Sequence, residues 1–336
     1  MSKNIKKTQS ESDIEKKLNI EIQNFEIDAR LTEIYKHCFI ETPFAERFQS
    51  FINDVRLKKK WAIVGAYARN GKSWCIKDLV KNSGAVKEYN GKTWVPVIAI
   101  RSPESSTPTD MISSLCRCFG KLPQSNTSAL KKWLIENIPH LGVEQIIIDD
   151  AHELNLNHLR FIKWLTDTLE LEKNYYLSIV LSSILGASGC ISILQKIQQY
   201  RHEEWMEQVY ERFSLSREVQ GLSPNEVAQV LNAYEEIYKP FLPEIKLMKY
   251  TNNIFGWLTS TELDIHNSER VAMEHLSKLI YEAVRLACIE FKMKDIPITL
   301  LYHAFNVNLL NRDRLYSTEN VPVYKPSPQK SDKNII

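Results

Sequence analysis

The chain has 336 residues, 43% hydrophobic and 25% charged, with a formal net charge of +2. This is the profile of a soluble globular protein, long for one domain and comfortable for two. No run approaches the ~18 to 20 apolar residues needed to cross a bilayer, and the six cysteines form no CxxC pair, so the reading is a reduced, cytoplasmic chain without a membrane partner.

In chain order, residues 1–25 are polar and charged and read as a loose arm that becomes helical on docking. From 26 to 221 the text alternates. Apolar runs "WAIVG" (61–65), "WVPVIAI" (94–100), "EQIIID" (144–149) and "YLSIVLSS" (176–183) are separated by helix-patterned segments such as "SWCIKDLVKNSG". Such alternation predicts a parallel α/β sheet. Cys116 and Cys118 lack further ligands at metal spacing and read as buried helix cysteines. From 222 to 316 the pattern is helical: Ser223, Pro224 and Glu226 form a capping-box start, and "MEHLSKLIYEAVRLACIEF" keeps helical spacing for five turns. Residues 317–336, with three prolines, read as a disordered tail.

The segment "AYARNGKS" (66–73) follows the first strand and opens a helix. A phosphate loop needs backbone N–H groups at a helix N-terminus, a lysine for the β and γ phosphates, and a hydroxyl for Mg²⁺. Lys72 and Ser73 meet the last two needs, while Ala66 stands where a glycine is usual and Gly65 is positioned to supply backbone freedom. The loop residues expected around ATP are Ala66, Arg69, Asn70, Gly71, Lys72, Ser73 and Trp74. A plain Gly-Lys-Ser surface turn is the competing reading. The second motif favours the nucleotide. "GVEQIIIDDAHEL" ends an apolar strand in Asp149 and Asp150, where P-loop ATPases hold Mg²⁺ (Asp149, through water) and orient the attacking water (Asp150).

These motifs, with "HCFIETPFAERFQSFINDVR" before them and "SIVLSSILG" and "VYERFSLSREVQGLSPNEV" after them, resemble the TniB/TnsC/MuB group of AAA+ ATPases over residues 37–310. The resemblance implies an AAA+ P-loop NTPase: a parallel sheet sandwiched by helices, then a small helical lid. It implies Ser183 as the sensor of the γ-phosphate, Arg212 as an arginine finger acting on a neighbouring subunit, and packing of the adenine near Thr42 and Pro43. It also implies rings or filaments on double-stranded DNA, contacted through its backbone by Arg101, Ser105, Thr107, Arg117 and Lys121. The partners implied are a DDE-type transposase and a TniQ-like target selector, with a CRISPR effector as a further guide. Three departures point to a slow ATPase that uses ATP mainly as an assembly switch: Asp150 for the usual glutamate, Ala66 for glycine, and Trp257 where a lid sensor arginine is expected. The alternatives are a helicase loader of the IstB/DnaC kind and a P-loop small-molecule kinase. The kinase leaves "YERF" and the helical lid without a task.

Overall fold

The computed structural model describes residues 2–83, 87–89, 92–121, 126–186 and 190–310. The tail from 317 lies outside them. Contacts divide the chain into two compact units, one of Glu41–Gly221 and one joining the segment up to Ile40 with the segment from Leu222 onward.

The chain opens with helix α1 (Ser2–His37), which belongs to the helical unit. Its C-terminal part is anchored there: Leu31 is fully buried, Thr32 Oγ1 lies 3.0 Å from the Tyr281 hydroxyl, and Tyr35 stacks on Tyr281 at 4.5 Å. The charged composition of residues 1–25 conceals a helix because the described apolar residues Leu18, Ile22 and Phe25 recur at helical spacing on a polar background.

The α/β unit begins with α2 (Pro43–Leu57), capped by Thr42, whose side chain accepts from Ala45 N–H at 3.1 Å. Then follow β1 (Trp61–Ala66), α3 (Lys72–Asn82), a hairpin of β2 (Lys87–Tyr89) and β3 (Lys92–Trp94), β4 (Val97–Arg101), α4 (Pro108–Cys118) and α5 (Thr127–His140). Next come β5 (Gln145–Asp149), α6 (Leu156–Lys173), β6 (Ser178–Ile184), α7 (Ser192–Gln199), α8 (Glu204–Arg212) and β7 (Leu215–Glu218). Five strands form one parallel sheet in the order β4-β5-β6-β1-β7. β1 and β5 are buried at every position, as strands covered on both faces must be. Two features were not legible: Val95 and Pro96 interrupt the run read as one strand at 94–100, and β7 is a short edge strand, mostly exposed.

In the helical unit α9 (Pro224–Tyr238), α10 (Thr251–Leu258), α11 (Met273–Arg285) and α12 (Ile298–Asn308) supply the core. The capping contact read from sequence is present, with Ser223 N–H donating to Glu226 Oε2 at 2.7 Å. Trp257 is a core residue, 5.1 Å from Tyr302 and 5.8 Å from Phe305 between ring centroids. The segment "TELDIHNSERVA" is a turn built on Asp264, whose carboxylate accepts from Ser268 N–H, Ser268 Oγ and Glu269 N–H.

Candidate nucleotide site and the loop beside it

The strand ends of the parallel sheet place the site. Leaving β1 at Ala66, the chain turns through two left-handed residues, Arg69 (φ 66°) and Gly71 (φ 87°), before α3 begins at Lys72. An added Cβ at Gly71 would meet nothing within 4 Å, so glycine serves backbone conformation there. Gly65 has a different task. It lies within β1, and a Cβ on it would come 2.6 Å from Ile191 Cγ1 and 3.0 Å from Leu185 Cδ2. The freedom expected of Gly65 is therefore room for the chain beyond β6, and the left-handed positions fall later in the loop. α3 is anchored to α2 by Gln49, whose amide donates to Cys75 O (2.9 Å) and Asp78 Oδ2 (3.0 Å).

Lys72 is buried and its ammonium donates to the carbonyls of Ala66 (3.2 Å) and Tyr67 (3.3 Å). Burial pushes it below the ordinary lysine value, while Asp149 and Asp150 pull it back up. Ser73 Oγ donates to Asp149 Oδ2 at 2.5 Å, leaving its lone pairs turned away from the carboxylate. A buried ammonium at a helix N-terminus beside a paired hydroxyl and carboxylate is the donor set a Mg²⁺-nucleotide requires. Lys72 would face the phosphates, with Ser73 and Asp149 on the metal. Among the described residues there is no group of three or more His, Cys, Asp or Glu side chains able to hold a metal ion. One carboxylate plus phosphate oxygens is the usual arrangement for Mg²⁺. Asn70 is buried in the loop, whereas Trp74 is exposed with Lys77 Nζ 5.5 Å from its ring centroid.

Asp149 accepts a second hydrogen bond, at 2.9 Å, from Ser182 Oγ. The register explains why Ser182 and not Ser183 arrives there. Ile148 pairs with Leu181, so the next residues, Asp149 and Ser182, share a face, and successive strand residues alternate faces. Ser183 is buried, pairs with Gly65 in register, and its hydroxyl lies 3.4 Å from the Ile184 carbonyl. Strand periodicity was the available signal for Ser182, but two adjacent serines left it unread.

Asp150 leaves the strand in a left-handed conformation (φ 53°, ψ 37°). Asp and Asn tolerate that region better than longer or branched residues, which is a physical reason for aspartate here. Its Oδ2 accepts from Arg101 Nε at 2.9 Å, an ion pair with Arg101 largely exposed. Further bonds tie the loop after β4 to the same segment: Ser102 N–H to Asp149 O (2.8 Å), Asn155 Nδ2 to Ser106 O (2.8 Å), and His158 Nε2 to Thr107 O (3.1 Å). His158 Nδ1 accepts from Asn155 N–H, so Nε2 carries the proton and donates to Thr107. Burial keeps His158 below its ordinary pKa, in line with that neutral form.

The five expected DNA donors do not form one patch. Arg101, Ser105 and Thr107 precede α4, and Ser105 Oγ is engaged with the Thr107 carbonyl at 3.2 Å. Arg117 and Lys121 lie at the other end of that helix, roughly 15 Å along its axis. Cys116 is buried, but Cys118, read as buried from sequence, is exposed because it closes the helix. Arg212 sits at the far end of the sheet from Lys72, its guanidinium 5.1 Å from the centroid of Trp61 at the start of β1. It donates to Thr166 Oγ1 at 3.2 Å, and its Nη2 lies 2.5 Å from Asp167 Oδ1, out of hydrogen-bond alignment.

Residues 58–187 match the family model of an AAA domain. Solved structures share the architecture. The ORC2 protein of Aeropyrum pernix in its ADPNP-ADP complexes aligns at 11% identity over 82% of this chain and 71% of that one, with a TM-score of 0.58. Its ADP form aligns at 11% identity over 84% and 74%, with a TM-score of 0.57. The fold is that of an AAA+ P-loop NTPase. Drosophila ORC bound to DNA aligns at 9% identity over 85% of this chain and 66% of that one, with a TM-score of 0.51. At these identities the likeness is one of fold. A comparison with curated proteins found no match. No helix among the described residues is long and apolar enough to cross a membrane.

Proposed function

We propose that this chain is an ATP-dependent, sequence-tolerant DNA-binding regulator that assembles on duplex DNA and links a TniQ-like target selector to a DDE-type transposase. The observation that carries the DNA-coupled part is the bonding between the loop at Arg101–Thr107 and the segment bearing Asp149 and Asp150. A polyanion drawn to Arg101 competes directly with Asp150 for the same guanidinium. Nucleotide-dependent assembly draws support from the Lys72, Ser73 and Asp149 cluster and from a fold shared with ORC2 in nucleotide complexes and ORC bound to DNA. The transposition role rests on the order of sequence segments that resemble TniB, TnsC and MuB.

In this reading, Lys72 neutralises phosphate charge and Asp150 accepts a hydrogen bond from the attacking water. Mg²⁺, when bound, supplies further charge neutralisation at the phosphates. An exposed ion pair is worth about 0–1 kcal/mol, so DNA phosphate is able to displace Asp150 from Arg101. Arg101→Ala is accordingly expected to raise basal hydrolysis up to about five-fold. It should also reduce the slope of log DNA affinity against log salt by about one. Steady-state ATPase and salt-titrated DNA binding check this; a lower basal rate would show that Arg101 assists Asp150.

The test of the whole reading is electron microscopy of the protein with duplex DNA and Mg²⁺, without nucleotide, with ATP, and with a non-hydrolysable analogue. Nucleotide-dependent rings or filaments are expected, and adding transposase or TniQ-like selector is expected to capture it on those assemblies. A protein that stays monomeric and off DNA sinks the proposal. The helicase-loader alternative is favoured by one observation, that α1 is a 36-residue helix extending past the polar residues 1–25, and it predicts capture of a helicase instead.

A further inference from the structure

Behind Asp150 lies a cation without a role so far. The turn Ala151–Glu153 follows Asp150 as one turn of 3-10 helix, closed by Glu153 N–H to Asp150 O (3.0 Å) and Leu154 N–H to Ala151 O (3.1 Å). The carbonyls of His152 and Leu154 are gripped from outside by one side chain. Lys196, on α7, donates from Nζ to His152 O at 2.7 Å and to Leu154 O at 2.8 Å. Among the described ion pairs none involves Lys196, so its charge is spent on two backbone carbonyls in a half-buried position.

The conformation thus held is a costly one. A non-glycine residue in the left-handed region is disfavoured, aspartate less than most, and such geometry persists where its surroundings over-determine it. Asp150 meets that condition through the turn that Lys196 fixes. α7 packs against both β6 and this turn. The nearby titratable groups are Glu153, which raises the Lys196 pKa against the lowering by burial, His152, whose Nε2 is 3.3 Å from Glu153 Oε1, and His158.

We propose that Lys196 is a positioning residue for hydrolysis: by holding the carbonyls of His152 and Leu154 it fixes the turn that aims the Asp150 carboxylate. This rests on the reading of Asp150 as the group that orients water. It makes α7 a lever on the chemical step that leaves nucleotide binding at Lys72 and Ser73 untouched.

The test compares Lys196→Met, which removes the donors and keeps the stem, with Lys196→Arg, which retains donors, in the full chain with duplex DNA. In Lys196→Met, single-turnover ATP hydrolysis is expected to fall about ten-fold, since small misplacements of a catalytic group carry costs of that order and above. Affinity for a fluorescent ATP analogue should stay within about two-fold, hydrogen exchange of the 151–154 amides should quicken, and Lys196→Arg should recover both rate and protection. In an Asp150→Ala background, Lys196→Met should have no further effect on the rate, because the two act as one unit. If the Met variant does not fold, Lys196→Gln takes its place. An unchanged rate, a rate loss repeated in the Asp150→Ala background, or a parallel loss of nucleotide affinity overturns the inference alone. If the unmodified protein does not hydrolyse ATP, or Asp150→Ala hydrolyses normally, the reading of Asp150 fails and takes this inference with it.

Discussion

Lys72→Ala is expected to weaken ATP-analogue binding by at least about 100-fold, about 2.7 kcal/mol, the scale of a lost charge-assisted contact. The side chain is buried with its ammonium on the Ala66 and Tyr67 carbonyls, and it opens α3 at its N-terminus. Removing it leaves an apolar stub at the point where negative charge would concentrate. Stability should change little or rise, because burial already disfavours that charge. The expected set of results is an unaltered or higher melting temperature, lost nucleotide binding by fluorescence titration, and loss of nucleotide-dependent assembly on DNA. Assembly that survives Lys72→Ala would separate DNA binding from ATP and remove the switch from the proposed mechanism.

Arg212→Ala should show the opposite division: nucleotide affinity kept, hydrolysis reduced about 1,000-fold, the lower range for loss of an arginine finger. The fold should tolerate the change, because Asp167 retains Lys163 Nζ on its Oδ2 at 2.6 Å. Arg212 lies over Trp61 and Lys72 follows Ala66, so the two ends of β1 separate them by roughly 17 Å at ~3.3 Å per residue. One copy therefore cannot bring its Arg212 to its own Lys72. Mixing Arg212→Ala with Lys72→Ala is expected to restore hydrolysis in part, since the second protein lends the arginine to the intact pocket of the first. Absence of recovery when both variants co-assemble would leave Arg212 as a partner of Asp167 and Thr166 only.

The α/β architecture was readable because its central strands carry continuous apolar runs that end in chemistry. β1 runs into the Gly71, Lys72 and Ser73 turn, and β5 ends in Asp149 and Asp150. Two adjacent acids cannot announce that one will face Ser73 while the other turns left-handed toward Arg101; that depends on neighbours far apart in sequence. The same holds for Ser182, chosen by its register against β5, and for Lys196, which reaches its carbonyls from more than 40 residues downstream. Trp257, read as a departure because it stands where a lid sensor arginine is expected, packs among the aromatic rings of α12. The edge strand β7 escaped notice because three of its four residues, Ser216 to Glu218, are polar and exposed and no apolar run marks it.

In the proposed assembly, the placing of Lys72 and Arg212 at opposite ends of one strand would give each copy a donor end and an acceptor end. A closed ring of n copies would contain n complete pockets, but an open filament would contain n − 1. The outermost copy at one end would hold its ATP without the arginine that completes the pocket, and so would act as a slow-turnover cap. Growth and loss at the two ends would then differ, and the filament would acquire a direction along DNA that the DNA backbone itself does not impose.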